Sequence, residues 1–252
     1  MSHSIVGETQ RLLKLAREPL ARVPGARRLK RALSRALASP EERILLEAYD
    51  IGMTQKRSEI RSMATLVREL RPERILEIGT SGGGTFYLWT RLAGDEATLI
   101  SVDLPPSWAL DDPEEALKRD LFQSFQRGRQ ALHFVRRDSH LAETQNEVLA
   151  ILAGAPLDFL FIDGDHSYAG VRRDFLDYEP MVRPGGLVAF HDILPHSEGL
   201  GGEVPRFWAE IRKSGIELVE DRQQDGFGIG VIRVPGLGES AKLLEAAMLH
   251  KR

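Results

Sequence analysis

A chain of 252 residues, 42% of them hydrophobic, carries the material for one large core. It contains no cysteine, which excludes disulfide scaffolds, thiolate zinc sites, iron–sulfur clusters and thiol nucleophiles. The net charge of −3 hides an uneven distribution: residues 11–38 hold nine Lys or Arg against Glu18 alone, leaving 25 basic and 36 acidic residues elsewhere.

The opening segment, about residues 1–40, therefore reads as a basic helical N-terminal extension to a body spanning 41–252. Leu12, Leu13, Leu15, Leu20, Leu29, Leu33 and Leu37 give partial helical periodicity, broken by Pro19 and Pro24. Such an arm suits either packing against the acidic body or a second subunit, or peripheral contact with an anionic membrane through residues 11–38. The first is favoured, because the arm lacks interfacial Trp and a long apolar face. No apolar run reaches the roughly 18 residues that span a bilayer, and no secretory apolar core opens the chain. The expectation is a cytoplasmic protein, homo-oligomeric and without a nucleic-acid partner.

Residues 40–70 read as one or two helices, with Ser39 as N-cap and Pro40 in the first turn. Strands then alternate with helices. RILEIGT (74–80) is a buried-type strand, and the glycine-rich turn at 82–84 opens a helix through Leu92. Further strands are expected at 98–104, 131–138, 157–163 and 185–193, with helices near 113–126, 142–153, 168–182 and 204–214. IELVED and GIGVIRV close the sheet as a hairpin, and a last helix follows at about 239–249. This order predicts an α/β fold: a doubly wound, Rossmann-like, mostly parallel sheet with a C-terminal antiparallel hairpin strand.

Ligands of such sheets sit at the carboxyl ends of the strands. Those ends here carry Glu77 to Thr80 with Gly82, Gly83 and Gly84, then Asp103, Asp138 with Ser139, Asp163 with Asp165 and His166, and His191 with Asp192. Glycines at a strand–helix turn let a ligand approach the backbone and exposed N–H groups. Asp103 suits a pair of ribose hydroxyls. These features alone specify a nucleoside cofactor and leave NAD open. Three features point away from NAD: the G-x-x-G-G-G spacing, the acid Glu77 before the first glycine, and the terminal hairpin. Asp163, His191 and Asp192, on neighbouring strand ends, form a candidate cation site.

The segments LEIGTSGGGT, FIDGDHSYAGVRRDF, RPGGLVAFHDI and GVIRV resemble the class I S-adenosylmethionine-dependent methyltransferases. Within them they look like the cephalosporin hydroxylase-like and macrolide-sugar O-methyltransferase branch, over residues 73–234. The resemblance implies seven strands with the last antiparallel. It implies that Glu77, Gly79 and Gly82, with Thr80, Ser81 and Gly83, shape the methionine end of an S-adenosylmethionine site. Asp103 would take the ribose, Asp138 and Ser139 would border the adenine, and Asp163 would adjoin the cofactor. Ser81 stands where the commoner pattern has glycine. The resemblance further implies a divalent cation, Mg²⁺ or Mn²⁺, on Asp163, His191 and Asp192, although His191 replaces a residue that is usually acidic or amide. His166 stands where related enzymes place a catalytic lysine, and its reference pKa of about 6.5 suits a base.

The expected activity is metal-assisted O-methylation of a sugar or secondary-metabolite hydroxyl, with Asp163 and His166 catalytic. The alternatives are a cofactor-binding scaffold without methyl transfer and, more distantly, an NAD-type oxidoreductase. The loop LPHSEGLGGEVPRFW reads as either an acceptor lid or a connector, as does PPSWAL with Trp108. His3, His133, His140, His196 and His250 carry no comparable context, and His133 is expected to be packed in its strand.

Overall fold

A computed structural model describes residues 35–105, 113–197 and 202–235. The chain divides into two compact units, residues 1–47 and 48–252. Helix α1 (Pro40–Ile51) begins in the first, with Glu41 and Glu42 in its first turn. Ser39 Oγ accepts the Glu42 N–H at 3.2 Å, as an N-cap should. The rest of the basic arm, the proposed lid tip at 198–201, Trp108 and the last helix lie outside the described residues.

In the second unit, α2 (Arg57–Leu70) buries Glu59, Ile60, Met63, Ala64 and Val67, one face at helical spacing. It ends at Arg71, whose left-handed φ of 50° returns its N–H to Val67 and Arg68. There follow β1 (Arg74–Ile78), α3 (Gly84–Leu92), β2 (Thr98–Asp103), α4 (Pro113–Gln123), β3 (Ala131–Arg136), α5 (Ala142–Leu152), β4 (Leu157–Ile162), α6 (Tyr168–Tyr178), β5 (Val182–His191), α7 (Val204–Ile211), β6 (Ile216–Leu218) and β7 (Ile229–Arg233).

The strands form one sheet in the order β3-β2-β1-β4-β5-β7-β6. All neighbours are parallel except the pairs made by β7, which is antiparallel to β5 and β6. The expected architecture is therefore present. Strand order reverses between β1 and β4, where a doubly wound sheet opens its crevice.

Both faces are covered. On one, Trp89 of α3 meets the Phe159 and Phe161 rings edge-on at 5.1 and 5.4 Å. On the other, Phe175, Phe190 and Phe207 from α6, β5 and α7 lie within 6.0 Å of one another. Each such buried ring stabilises the fold by about 1.5–3 kcal/mol. Every residue of β4 is buried, including Asp158. Its Oδ2 accepts the N–H groups of Glu73 and Arg74 at 2.8 and 2.9 Å, and its Oδ1 accepts from Arg183 Nε at 2.6 Å. One carboxylate thus ties the starts of β1 and β5 to β4.

Boundaries differ from expectation where proline intervenes. The helix expected to reach 182 stops at Tyr178, and Glu179–Met181 form a 3₁₀ turn around Pro180, whose ring and missing N–H disfavour further helix. β5 starts earlier than expected, at Val182, which pairs with Leu157 before the register shifts.

Candidate functional site

The strand ends deliver their polar residues to one edge. Gly79 N–H donates to Val102 O at 2.9 Å and Asp163 N–H to Ile78 O at 2.8 Å, so β1 is closed on both sides up to its last residue. The chain then turns at Gly79 and Ser81, with φ of 84° and 45°. Asp103 Oδ2 accepts the Thr80 and Ser81 N–H groups at 3.0 and 2.8 Å, and its Oδ1 accepts from Leu104 N–H. Thr80 and Ser101 share a hydroxyl hydrogen bond of 2.6 Å. The glycine-rich turn is thus held by the acid that ends the next strand.

Two clefts open along this edge. The larger, about 620 Å³, is lined by Asp103, Asp138, Ser139, His140 and Asp165. The smaller, about 360 Å³, is lined by Gln55, Thr85, His191, Asp192, His196 and Phe227. Gly79, Ser81, Asp163 and His166 belong to both walls. Thr80 lines the smaller cleft.

The smaller cleft holds a charged cluster. His191 Nδ1 lies 3.2 Å from Asp163 Oδ1 and 3.4 Å from Asp192 Oδ2. His166 bridges the same carboxylates, with Nε2 3.4 Å from Asp163 Oδ1 and Nδ1 3.3 Å from Asp192 Oδ2. Gln55 Nε2 donates to the other oxygen of Asp163 at 2.9 Å. Phe227 N–H donates to Asp192 Oδ1 at 3.1 Å, and His196 Nε2 lies 3.5 Å from that oxygen.

Burial alone would lower His191, but the Asp163 and Asp192 carboxylates outweigh it and hold the imidazole up at about 10. His166 is raised through its hydrogen bond to Asp163, against burial. Burial pushes Asp192 up, yet His191, His166 and His196 bring it below the ordinary carboxylate value. The two adjacent carboxylates thus favour the charged form of both His191 and His166. One ligand atom each from Asp163, His191 and Asp192 lies within 4.8 Å of the others, close enough to share a metal ion.

In the larger cleft, Asp138 Oδ1 accepts the His140 N–H at 2.8 Å, and Ser139 Oγ donates to buried Asp174 Oδ1 at 2.6 Å. His140 Nε2 lies 3.2 Å from the same oxygen. Burial raises Asp174 to about 6, despite the Ser139 hydrogen bond and the nearby His140.

Three expected residues line neither cleft. Glu77 is fully buried beneath the turn, where Oε1 accepts from Trp89 Nε1 at 3.2 Å and Oε2 has no partner. Gly82 abuts Gly52, and Gly83 abuts the Phe122 ring. Of residues not expected at the site, Gln55 and His196 line the smaller cleft and His140 the larger, with Asp174 bonded behind it to Ser139. His133 stays half-buried in β3, with burial lowering its pKa. Among the described residues no helix is long and apolar enough to cross a membrane.

A family model described as a methyltransferase domain matches residues 76–193. The uncharacterized protein y4gI of Sinorhizobium fredii is 32% identical over 149 residues, 58% of this chain but only 16% of that protein's length. Among solved structures, the O-methyltransferase TomG from Streptomyces achromogenes, involved in tomaymycin synthesis and in complex with SAM, superposes with a TM-score of 0.53 at 20% identity. The match covers 81% of this chain and 95% of TomG. The MycE methyltransferase of the mycinamycin biosynthetic pathway, in complex with Mg and SAH, gives 0.52 at 17% identity, covering 79% of this chain and 55% of MycE. At such identities the structures establish the fold, and the family match spans the lining of the larger cleft and part of the smaller. Residues 76–193 thus match a methyltransferase domain, on a fold shared with methyltransferases in complex with SAM or SAH.

Proposed function

We propose that the chain is an S-adenosylmethionine-dependent O-methyltransferase, assisted by a divalent cation, that methylates a hydroxyl of a sugar or secondary-metabolite acceptor. The observation that carries this is Asp163, which stands in the wall of both clefts and joins a cofactor-sized cavity to a charged one. In the larger cleft Asp103 would hold the ribose and Asp138 with Ser139 the adenine, while Gly79, Thr80 and Ser81 admit the methionine end. Glu77, Gly82 and Gly83 would act by supporting that turn from below.

Two carboxylates and one imidazole fit Mg²⁺ or Mn²⁺, and the nitrogen donor tilts the choice toward Mn²⁺. MycE, whose fold this domain shares, is in complex with Mg and SAH. A cation bound there supplies Lewis-acid polarisation of the acceptor hydroxyl. Gln55 fixes one oxygen of Asp163 and leaves the other toward the histidines. His166 would act as base once it has lost a proton and released one of the carboxylates it now bridges, the freed ring nitrogen taking the hydroxyl proton. The other carboxylate then stabilises the imidazolium. The cleft walls would align the acceptor with the methyl donor, and such alignment would supply most of the remaining rate. We extend the proposal to a cytoplasmic homo-oligomer.

Calorimetric titration with S-adenosylhomocysteine, with and without Mg²⁺ or Mn²⁺, followed by an acceptor screen, tests this. No binding of S-adenosylhomocysteine sinks the reading. An Asp163→Ala variant that keeps full activity in EDTA sinks the metal, and His166→Ala with an unchanged pH–rate profile removes the base.

A further inference from the structure

Glu59, in the first turn of α2, is 1% exposed and lines neither cleft. Its carboxylate faces the loop that joins β6 to β7. Oε1 accepts the Glu220 N–H at 3.1 Å and the Gln224 side-chain amide at 2.7 Å, and Oε2 accepts the Gly228 N–H at 2.9 Å. A buried carboxylate is costly to keep unless it is hydrogen-bonded, and here three donors from one loop supply those bonds.

The loop it holds is strained. Gly226, Phe227 and Gly228 have φ of 71°, 62° and 82°, three successive left-handed residues, and a bulky side chain rarely adopts that region. Such backbone persists only where its surroundings over-determine it. The strained segment is also the one that touches the charged cluster. Phe227 N–H donates to Asp192 Oδ1, Phe227 O accepts from Leu194 N–H at 3.0 Å, and Gly226 N–H donates to Pro195 O at 2.8 Å. Gly226 lies so close to the His196 ring that a Cβ there would sit 2.2 Å from it. Asp192 itself has φ of 58°.

We infer that Glu59 is a positioning residue for the cation site. It pins Gly228, and the adjoining peptide unit then presents the Phe227 N–H to Asp192. Oδ1 of Asp192 is taken by the loop, so Oδ2 is the oxygen turned toward His191 and Asp163. The inference rests on the cation reading above. Groups that hold a metal ligand in orientation typically change metal affinity when removed.

The test is calorimetric titration of the full chain with Mn²⁺ and, separately, with S-adenosylhomocysteine, for the wild type, Glu59→Gln, Glu59→Ala and Gln224→Ala. Gln at position 59 keeps the shape but turns an amide N–H₂ toward N–H donors. Mn²⁺ affinity is expected to fall about 10-fold or more in Glu59→Gln, and by less in Gln224→Ala, with S-adenosylhomocysteine affinity unchanged. Thermal melting reports folding. If Glu59→Ala does not fold, the other two variants carry the comparison. Unchanged Mn²⁺ affinity in Glu59→Gln overturns the assignment, as does a parallel loss of Mn²⁺ and S-adenosylhomocysteine affinity. A wild type that binds no Mn²⁺ overturns the metal reading and this assignment together.

Discussion

Replacing Gly79 by alanine strikes the fold where the two clefts meet. Its φ is +84°, and an added Cβ would lie 2.1 Å from the carbonyl oxygen of Asp163, 2.5 Å from that carbonyl carbon and 2.7 Å from Gly164 Cα. All three are backbone atoms, and Asp163 is bonded through its N–H to Ile78, so neither strand end can step aside. Gly154 has the same φ of +84° with nothing within 4 Å of its would-be Cβ. It therefore isolates the backbone penalty from the collision. The left-handed conformation costs alanine about 1–2 kcal/mol, and forcing atoms into a packed site costs about 1–3 kcal/mol more. Gly154→Ala should lose only the first amount. Gly79→Ala should lose both, about 2–5 kcal/mol, or about 5–15 °C in Tm at this size. Urea titrations of both variants and the wild type give the difference directly. Equal losses in the two variants, or a smaller loss in Gly79→Ala, would refute the close approach of β1 to β4 at this point.

Two further outcomes follow from buried carboxyl groups. Burial, reinforced by the Asp163 charge, moves Glu77 from its ordinary 4.5 up to about 8 against the opposing influence of nearby Thr85 and Trp89. The folded pKa lies above the unfolded one, so its contribution to stability is full below about 4.5 and is lost as pH rises to about 8. Glu77→Gln should flatten the stability–pH curve across that window and gain on the wild type at pH 8.5, and parallel curves in urea titrations would count against a buried neutral Glu77. Asp158→Ala leaves two backbone N–H groups of the β1 start and the Arg183 guanidinium without their acceptor, and should cost about 2–4 kcal/mol. A loss under about 1 kcal/mol would show that water or a neighbour replaces the carboxylate.

The strand ends were legible in the sequence because most of these strands read as apolar runs, and the acids and histidine at or just past their ends mark the edge. Asp103, Asp138, Asp163 and His191 were all found this way. What stayed hidden depends on distance along the chain. Gln55 reaches Asp163 across 108 residues, and nothing local to a helix-flanking glutamine signals it. Asp174 faces inward from α6 to meet Ser139, an arrangement decided by how α6 docks. His196 was set aside as lacking context, since its neighbours are brought by the loop before β7. Glu77 was legible as an acid in the right motif, but not as a residue sealed under the turn by Trp89.

The reversed direction of β7 has a geometric consequence for the acceptor side. A parallel strand begins at the edge of the sheet opposite the ligands, and its preceding connection is spent on the far side. Because β7 runs backwards, both the exit of β6 at Leu218 and the entry of β7 at Ile229 fall on the ligand edge. The ten intervening residues are thereby available to line that edge, with no crossover helix to accommodate. Their length and composition can change between relatives while the six-strand parallel frame, and the cofactor-sized cleft it carries, stay as they are. On the function proposed above, acceptor choice could then vary independently of the methyl donor.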